Sequence, residues 1–185
     1  YKLFWKKFTL QGETAMDKNG KIATMNMLRY SPKESFQLMV MNRFYDLAYQ
    51  SIYARSIGEG SMVQNESGFY IGLETSFLRY FKLSTYGDLF YFPWKKYQLS
   101  KNGTKGFDGV VQLSYSPGYQ LDMFIRYRYK NKHKDFTPDD GEKVKLPYIQ
   151  QKWKYQVNYS PISELMLKTT VDYVRNGHQN KEVSQ

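Results

Sequence analysis

Cysteine is absent from the 185 residues, and only 2 histidines are present. Disulfides, thiolate nucleophiles and cysteine-based zinc sites are therefore excluded, and a histidine-rich metal cluster has too few ligands. Proline is scarce, at 6 residues. No apolar run approaches the ~18–20 residues that a membrane-crossing helix needs, which argues against a helical membrane protein but not against one built from strands. Disorder is excluded from the other direction, because aromatics supply 18% of the chain and disordered segments are poor in rings.

The rings, 18 Tyr and 12 Phe, coexist with a mean hydropathy of −0.68. Many large side chains among many polar ones suit a sheet with one apolar and one wet face. The net charge of +10 would attract nucleic acid, anionic lipid or acidic glycans. The length suits one domain, residues 1–185. Tyr1 is not an initiator Met, Tyr1–Leu10 lacks the apolar core of a signal peptide, and the chain ends on polar residues. A segment of a longer precursor is the expectation.

A tripeptide recurs: Tyr30-Ser31-Pro32, Tyr115-Ser116-Pro117 and Tyr159-Ser160-Pro161, with a degenerate copy at Thr75-Ser76-Phe77. With Pro32, Phe77, Pro117 and Pro161 as origins, the copies are 45, 40 and 44 residues apart. Four residues on stand Phe36, Phe81, Leu121 and Leu165; six on, Leu38, Leu83, Met123 and Leu167; eight on, Val40, Thr85, Ile125 and Thr169. Polar residues such as Gln37, Lys82 and Asp122 intervene. That is the period of a strand with one apolar face. The preceding strands alternate too, as in Trp153, Tyr155, Val157 and Tyr159 against Lys152, Lys154, Gln156 and Asn158.

Each unit thus reads as strand, turn, strand, with Pro placed in the turn because it presets φ and lacks an N–H. The pattern predicts nine strands, at 3–14, 21–30, 35–45, 68–76, 80–92, 107–115, 119–130, 148–159 and 163–175. Asn26 and Thr24 fall on the apolar face of the second, so a bulge or a shifted register is expected there. Short turns gather at one end. Long connections, about 46–66, 93–106 and 131–147, gather at the other, where only Asp17-Lys18-Asn19-Gly20 is a short turn. The expected fold is all-β, an antiparallel up-and-down meander forming a segment of a transmembrane β-barrel.

A soluble sandwich with one wet face would alternate in the same way. Three features favour a membrane: strands of about 9–13 residues, the length that crosses a tilted bilayer; short turns and long loops segregated to opposite ends; and rings near the strand ends. Tyr30, Tyr91, Tyr115, Tyr129, Tyr159 and Tyr173 are the candidate aromatic girdle. Leu83, Leu121, Met123, Ile125, Leu165, Leu167 and Val171 are the candidate lipid-facing residues. Arg43, Lys82, Asp88, Arg126, Arg128, Lys152, Lys154, Lys168 and Asp172 would face the interior. Because backbone polar groups in hydrocarbon all need partners, nine strands without a closing pair imply further strands.

Gly12-Glu13-Thr14-Ala15-Met16-Asp17, Gly58-Glu59-Gly60-Ser61, Val63-Gln64-Asn65-Glu66, Phe92-Pro93-Trp94 and Arg126-Tyr127-Arg128-Tyr129-Lys130 resemble a Bacteroidetes family. Its members are large outer-membrane proteins with an N-terminal helix-hairpin-helix domain and a C-terminal barrel. The resemblance runs from about residue 8 to residue 175 and implies a barrel segment, without the helix-hairpin-helix domain. It carries over no catalytic residue.

Chemistry-bearing positions have plain alternatives beside them. The inward charges could form a cationic lumen selective for anions. A salt-bridged interior, with Arg126 or Arg128 paired to Asp122 or Asp172, is the simpler expectation. The 46–66 connection, with Tyr49, Tyr53 and Arg55, could fold inward as a constriction; a mobile outer loop is simpler. Gly58-Glu59-Gly60 is too short for a phosphate loop. Lys130, Lys132, His133, Lys134, Lys143 and Lys145 read as a solvated basic loop, with contact to lipopolysaccharide phosphate as the alternative. Trp94-Lys95-Lys96-Tyr97 suits an interfacial girdle better than a nucleic-acid surface. A Ser–His hydrolase would need His133 joined to Ser100 and Asp135, and nothing links them; His178 falls in the tail.

The function expected is a structural or transport barrel segment of the bacterial outer membrane, with a net-cationic polar interior and no enzymatic activity, cofactor or metal. Expected partners are membrane lipid, lipopolysaccharide, further strands of the precursor and proteins of an outer-membrane complex, not nucleic acid. The alternatives are a soluble basic β-sheet module for nucleic acid or acidic polysaccharide, and an interaction subunit of an outer-membrane complex.

Overall fold

The computed structural model describes residues 1–51, 54–95, 102–136, 144–162 and 164–178. Among these the chain is all-β and without helix. Its strands are β1 (Lys2–Trp5), β2 (Phe8–Met16), β3 (Ile22–Lys33), β4 (Phe36–Tyr45), β5 (Glu66–Leu78), β6 (Phe81–Phe92), β7 (Thr104–Gly118), β8 (Leu121–Phe136), β9 (Val144–Ile162) and β10 (Leu165–His178). They form one 10-stranded sheet in sequence order, each strand antiparallel to the next, with β1 and β10 at its edges. The expected up-and-down meander is the observed topology.

There are ten strands and not nine. The segment expected as one strand over 3–14 is a hairpin, β1 and β2, in which Trp5 faces Phe8 across a turn at Lys6 and Lys7. Lys6 adopts a left-handed φ of 51°, a conformation usually left to Gly or Asn. The bulge expected near Asn26 and Thr24 is also absent, since β2–β3 and β3–β4 keep register there. These polar groups find partners on the neighbouring strand and at the chain start instead. Thr24 Oγ1 lies 2.8 Å from Thr14 Oγ1, and Asn26 Oδ1 accepts from the Tyr1 hydroxyl.

The repeat prolines Pro32, Pro117 and Pro161 lie inside strands, not in the turns. The tight turns fall after it, at Glu34-Ser35 and Tyr119-Gln120, because Lys33 pairs with Phe36 and Gly118 with Leu121. At four of the five hairpins on this end, all but β1–β2, the register slips: Tyr30 pairs with Leu38, Ser76 with Lys82, Tyr115 with Met123 and Tyr159 with Leu167. Each slip places one extra residue on the incoming strand, a β-bulge, where a residue without an N–H costs no ladder bond. The Ser before it has a separate use. Ser31, Ser76, Ser116 and Ser160 each donate their backbone N–H to a carbonyl in the preceding hairpin turn: Lys7, Ser35, Tyr80 and Gln120, at 2.8, 2.8, 3.0 and 2.7 Å. The recurring tripeptide is therefore a latch that stitches successive turns together.

At the opposite end, the expected turn at Asp17–Gly20 is present. Asp17 Oδ1 accepts from the N–H groups of Asn19 and Lys21, and Gly20 supplies the φ of 76° that the turn requires. Hydrogen bonding from Lys21 leads the effects that hold the Asp17 carboxyl below its ordinary range, against a smaller opposing effect of burial. Several strands run a few residues further than expected, β8 and β9 furthest into an expected loop: β8 reaches Phe136 and β9 starts at Val144. Residues 130–136 and 144–147 read as loop because charge is dense there, yet they pair in continuous register.

Register sorts the side chains onto two faces. Leu83, Leu113, Ile125, Tyr155 and Val171 form one row across β6–β10. Toward the tight turns, Tyr115 lies two residues and Tyr159 four residues beyond this row on their strands; toward the long connections, Tyr173 lies two and Tyr129 four residues beyond it. Among the described residues strands contact only their sequence neighbours, so no second layer covers this face. Ile125, Leu167 and Val171 are accordingly 45%, 51% and 58% exposed. Leu121, Met123, Leu165, Tyr30 and Tyr91 share the face by alternation. The buried residues lie on the other side.

Candidate functional site

The opposite face carries the charges, and its end near the long connections is closed over by residues 54–65. Three rows meet there. Tyr45, Glu66, Phe92 and Thr104 are aligned across β4–β7; next come Arg43, Gly68, Phe90 and Gly106; then Met41, Tyr70, Asp88, Asp108 and Lys130. Tyr45, Arg43, Met41, Glu66, Phe90, Phe92, Thr104 and Asp108 are all buried. Glycine in the middle row makes room for large neighbours: a Cβ on Gly106 would lie 2.4 Å from the Phe90 ring, and one on Gly68 2.2 Å from Arg43 Cζ.

Arg43 is the hub. Its Nε donates to Glu66 Oε1 at 2.7 Å, while Nη1 and Nη2 fork onto Asp88 at 2.7 and 3.1 Å. A cation this deeply buried is tolerated only when paired and hydrogen-bonded. Glu66 is completed from the infolded connection. The N–H of Glu59 reaches both carboxylate oxygens at 3.0 Å, and that of Gly60 reaches Oε2 at 2.9 Å. Gly58-Glu59-Gly60 is thus an anion-gripping backbone loop after all, and the anion is the protein's own carboxylate.

Glu59 extends the network across the sheet. Its carboxylate accepts from Lys130 Nζ at 2.5 Å and Lys132 Nζ at 3.1 Å. Burial pushes the Glu59 carboxyl up, but the two lysines outweigh it and leave the group below its ordinary range. Asp108 binds Arg128 through two hydrogen bonds and lies 3.4 Å from Lys130. Four cations, Arg43, Arg128, Lys130 and Lys132, therefore meet four carboxylates, Glu59, Glu66, Asp88 and Asp108. Charge balances within this cluster.

The connection over 46–65 is anchored elsewhere as well. Tyr49 is buried against Ala23 and Tyr45, with Ala15, Ala54 and Val63 around them. Tyr45 donates to the Ile57 carbonyl at 2.8 Å, and Gln50 N–H donates to Asp17 Oδ2 at 3.2 Å. Asn65, at a φ of 54°, accepts from Trp94 N–H at 2.9 Å and donates to the Trp94 carbonyl. The expected mobile outer loop is instead folded against the charged face, because two of its residues, Tyr49 and Glu59, have buried partners there.

The other interior candidates also lie on this face, with partners different from those expected. Arg128 pairs with Asp108, not with Asp122 or Asp172; Arg126 Nε donates to Gln112 Oε1 at 2.7 Å. Lys152 and Lys154 share Asp172 at 3.7 and 3.8 Å, and Lys82 pairs with Glu74 at 2.7 Å. Lys168 stands opposite Asn158. Asp122 takes hydrogen bonds from Ser116 and Asn158.

The expected basic loop is strand: Lys130, Lys132, His133 and Lys134 lie on β8 and Lys145 on β9. Lys145 Nζ donates to the Gly103 carbonyl, and Lys134 lies over the Tyr148 ring. His133 Nδ1 is 2.9 Å from the Lys105 carbonyl oxygen. Tyr53, Lys96, Tyr97, Ser100 and Lys143 lie outside the described residues.

Glu59, Glu66 and Asp108 were missed in the sequence. Alternation alone would have placed Glu66 and Asp108, since they continue the inward series of Gly68 and Tyr70 and of Val110 and Gln112. No comparable signal existed for Glu59. Comparison with known proteins finds no matching family model, curated protein or solved structure.

Proposed function

We propose that the chain is a wall segment of a bacterial outer-membrane β-barrel, with the apolar face toward lipid and the charged face toward the interior. The observation that carries this reading is an uncovered row centred on Ile125 across five consecutive strands, four aliphatic side chains and Tyr155, with further tyrosines toward both ends of the strands. Apolar surface of that extent is stable in hydrocarbon and a liability in water. Where the charged face is buried beneath the infolded connection, the ions satisfy one another, as polar groups away from bulk water must.

The infolded connection narrows that interior, so the segment acts as a structural wall with a fixed constriction more than as a wide pore. No enzymatic role is assigned. Spin labels at Leu121, Ile125, Leu165 and Val171 test the orientation. Contact with detergent or lipid at all four is expected. Contact with water, together with salt-sensitive binding of single-stranded DNA by detergent-free protein, would replace the proposal with a soluble basic sheet.

A further inference from the structure

We propose that the charged face holds a binding site for an acidic saccharide, between the Tyr70–Tyr86 ring pair and Arg126. The inference rests on the reading of this face as the barrel interior, and adds the class of solute it takes. The place is a 410 Å³ cleft whose lining includes Gln37, Tyr70, Tyr86, Gln112 and Arg126.

Electrostatics point there first. Arg126 stands directly opposite Lys154, and Arg128 opposite Lys152, on the same face of β8 and β9. Like charges directly opposed destabilise a sheet unless something intervenes. Arg128 is neutralised by Asp108, and the two lysines divide Asp172 between them. Among the described residues Arg126 meets no carboxylate; its contacts are the Gln112 amide and the Phe124 ring. Gln112 is itself held, donating to Ser114 Oγ at 3.0 Å. The guanidinium is thus fixed through Nε with its two Nη groups left to fork onto an anion, the geometry that suits a carboxylate.

Shape and hydrogen bonding define the rest of the ligand. Tyr70 and Tyr86 stack at 5.4 Å with 25° between their planes. Gly72 lets Tyr70 lie close to the sheet, for a Cβ there would fall 2.9 Å from the ring. A ring pair beside the side-chain amides of Gln37 and Gln112 matches the C–H faces and neighbouring hydroxyls of a sugar. Single-stranded nucleic acid fits less well. It presents a phosphate at every nucleotide and needs a row of unpaired cations, whereas this cleft offers one carboxylate-free arginine.

Calorimetry on the full chain in detergent tests the site with trigalacturonate, maltotriose and an oligo-dT as probes. Trigalacturonate is expected to bind at least tenfold more tightly than either other probe. Arg126→Gln should weaken it at least tenfold and flatten its salt dependence, and Tyr70→Ala should weaken both sugars. Circular dichroism and thermal unfolding of the variants check that they fold. Equal binding of the neutral and acidic sugars, tighter binding of the oligonucleotide, no binding, or a folded Arg126→Gln variant with unchanged affinity would each overturn the site. Spin labels on the apolar face that still report lipid would confine the failure to this site, whereas labels reporting water would remove the parent reading.

Discussion

Arg43 lies across Gly68, its direct partner on the neighbouring strand, and reaches over that glycine to two carboxylates on either side. Any side chain at position 68 would occupy the space of the guanidinium carbon. Gly68→Ala is therefore expected to destabilise the sheet by about 3–5 kcal/mol, the scale of breaking a buried ion pair. Arg43→Lys should cost nearly as much, because an ammonium cannot fork onto Asp88 while also serving Glu66. Gly118→Ala is the control. Nothing lies within 4 Å of a Cβ there, so its effect should stay within about 0.5 kcal/mol. Urea unfolding in detergent reads all three, and equal midpoints for the two glycine variants would refute the argument.

Glu59 pins the infolded connection, and the direction of its carboxyl shift sets the pH dependence. Lys130 and Lys132 lower it against burial. A carboxyl lowered in the folded state stabilises fully above its unfolded value, about 4.3, and loses that contribution as pH falls through the lower folded value. A nitroxide at exposed Ser61 should thus stay immobile at neutral pH and loosen only below the ordinary carboxylate range. Glu66 and Asp108 lie in the same network, so Glu59→Gln isolates the pin. The variant should be mobile already at neutral pH, reflecting a loss of about 1–3 kcal/mol from buried hydrogen bonds. An immobile label in Glu59→Gln would show that the other anchors, Tyr49 packing and the backbone bonds to Glu66 and Tyr45, hold the connection without it.

The strands were legible because period-two alternation is local, and the Leu83–Val171 row follows from it without any knowledge of partners. The β1–β2 turn was not, since Lys6-Lys7 contains neither Gly nor Pro and its positive φ has no sequence mark. Prolines 32, 117 and 161 were correctly read as breaks in pairing but assigned to turns, because a bulge and a turn both tolerate a missing N–H. Which face each charge occupies was legible, whereas partners such as Glu59 and Lys130, 71 positions apart, depend on how the connection folds.

The latch between hairpin turns uses a backbone N–H, so the serine side chain and its backbone should separate cleanly. Ser160 donates to the Gln120 carbonyl at 2.7 Å. Ser160→Ala keeps that bond and is expected to change stability by less than about 0.5 kcal/mol. Ser160→Pro removes the donor and leaves the Gln120 carbonyl without it, at a cost of about 1–3 kcal/mol. Hydrogen exchange at residue 160 in the native protein should also be slow, for the same reason. Similar stabilities for the Ala and Pro variants would mean that the latch contributes nothing.

Depth along the apolar face gives the sharpest separation between lipid and water. Ile125 stands in the row midway between the two tyrosine bands, while Leu165 pairs with Ile162 beside the last tight turn. In a bilayer an arginine at the midplane of a barrel costs about 2–4 kcal/mol and one near the interface about 0–1 kcal/mol. Ile125→Arg should therefore destabilise the folded, lipid-inserted protein by the larger amount and Leu165→Arg by the smaller. In water both sites are comparably exposed, at 45% and 43%, and both substitutions would be nearly neutral. Reversible unfolding from phospholipid vesicles measures the difference directly, and two equal, small effects would remove the bilayer from the account.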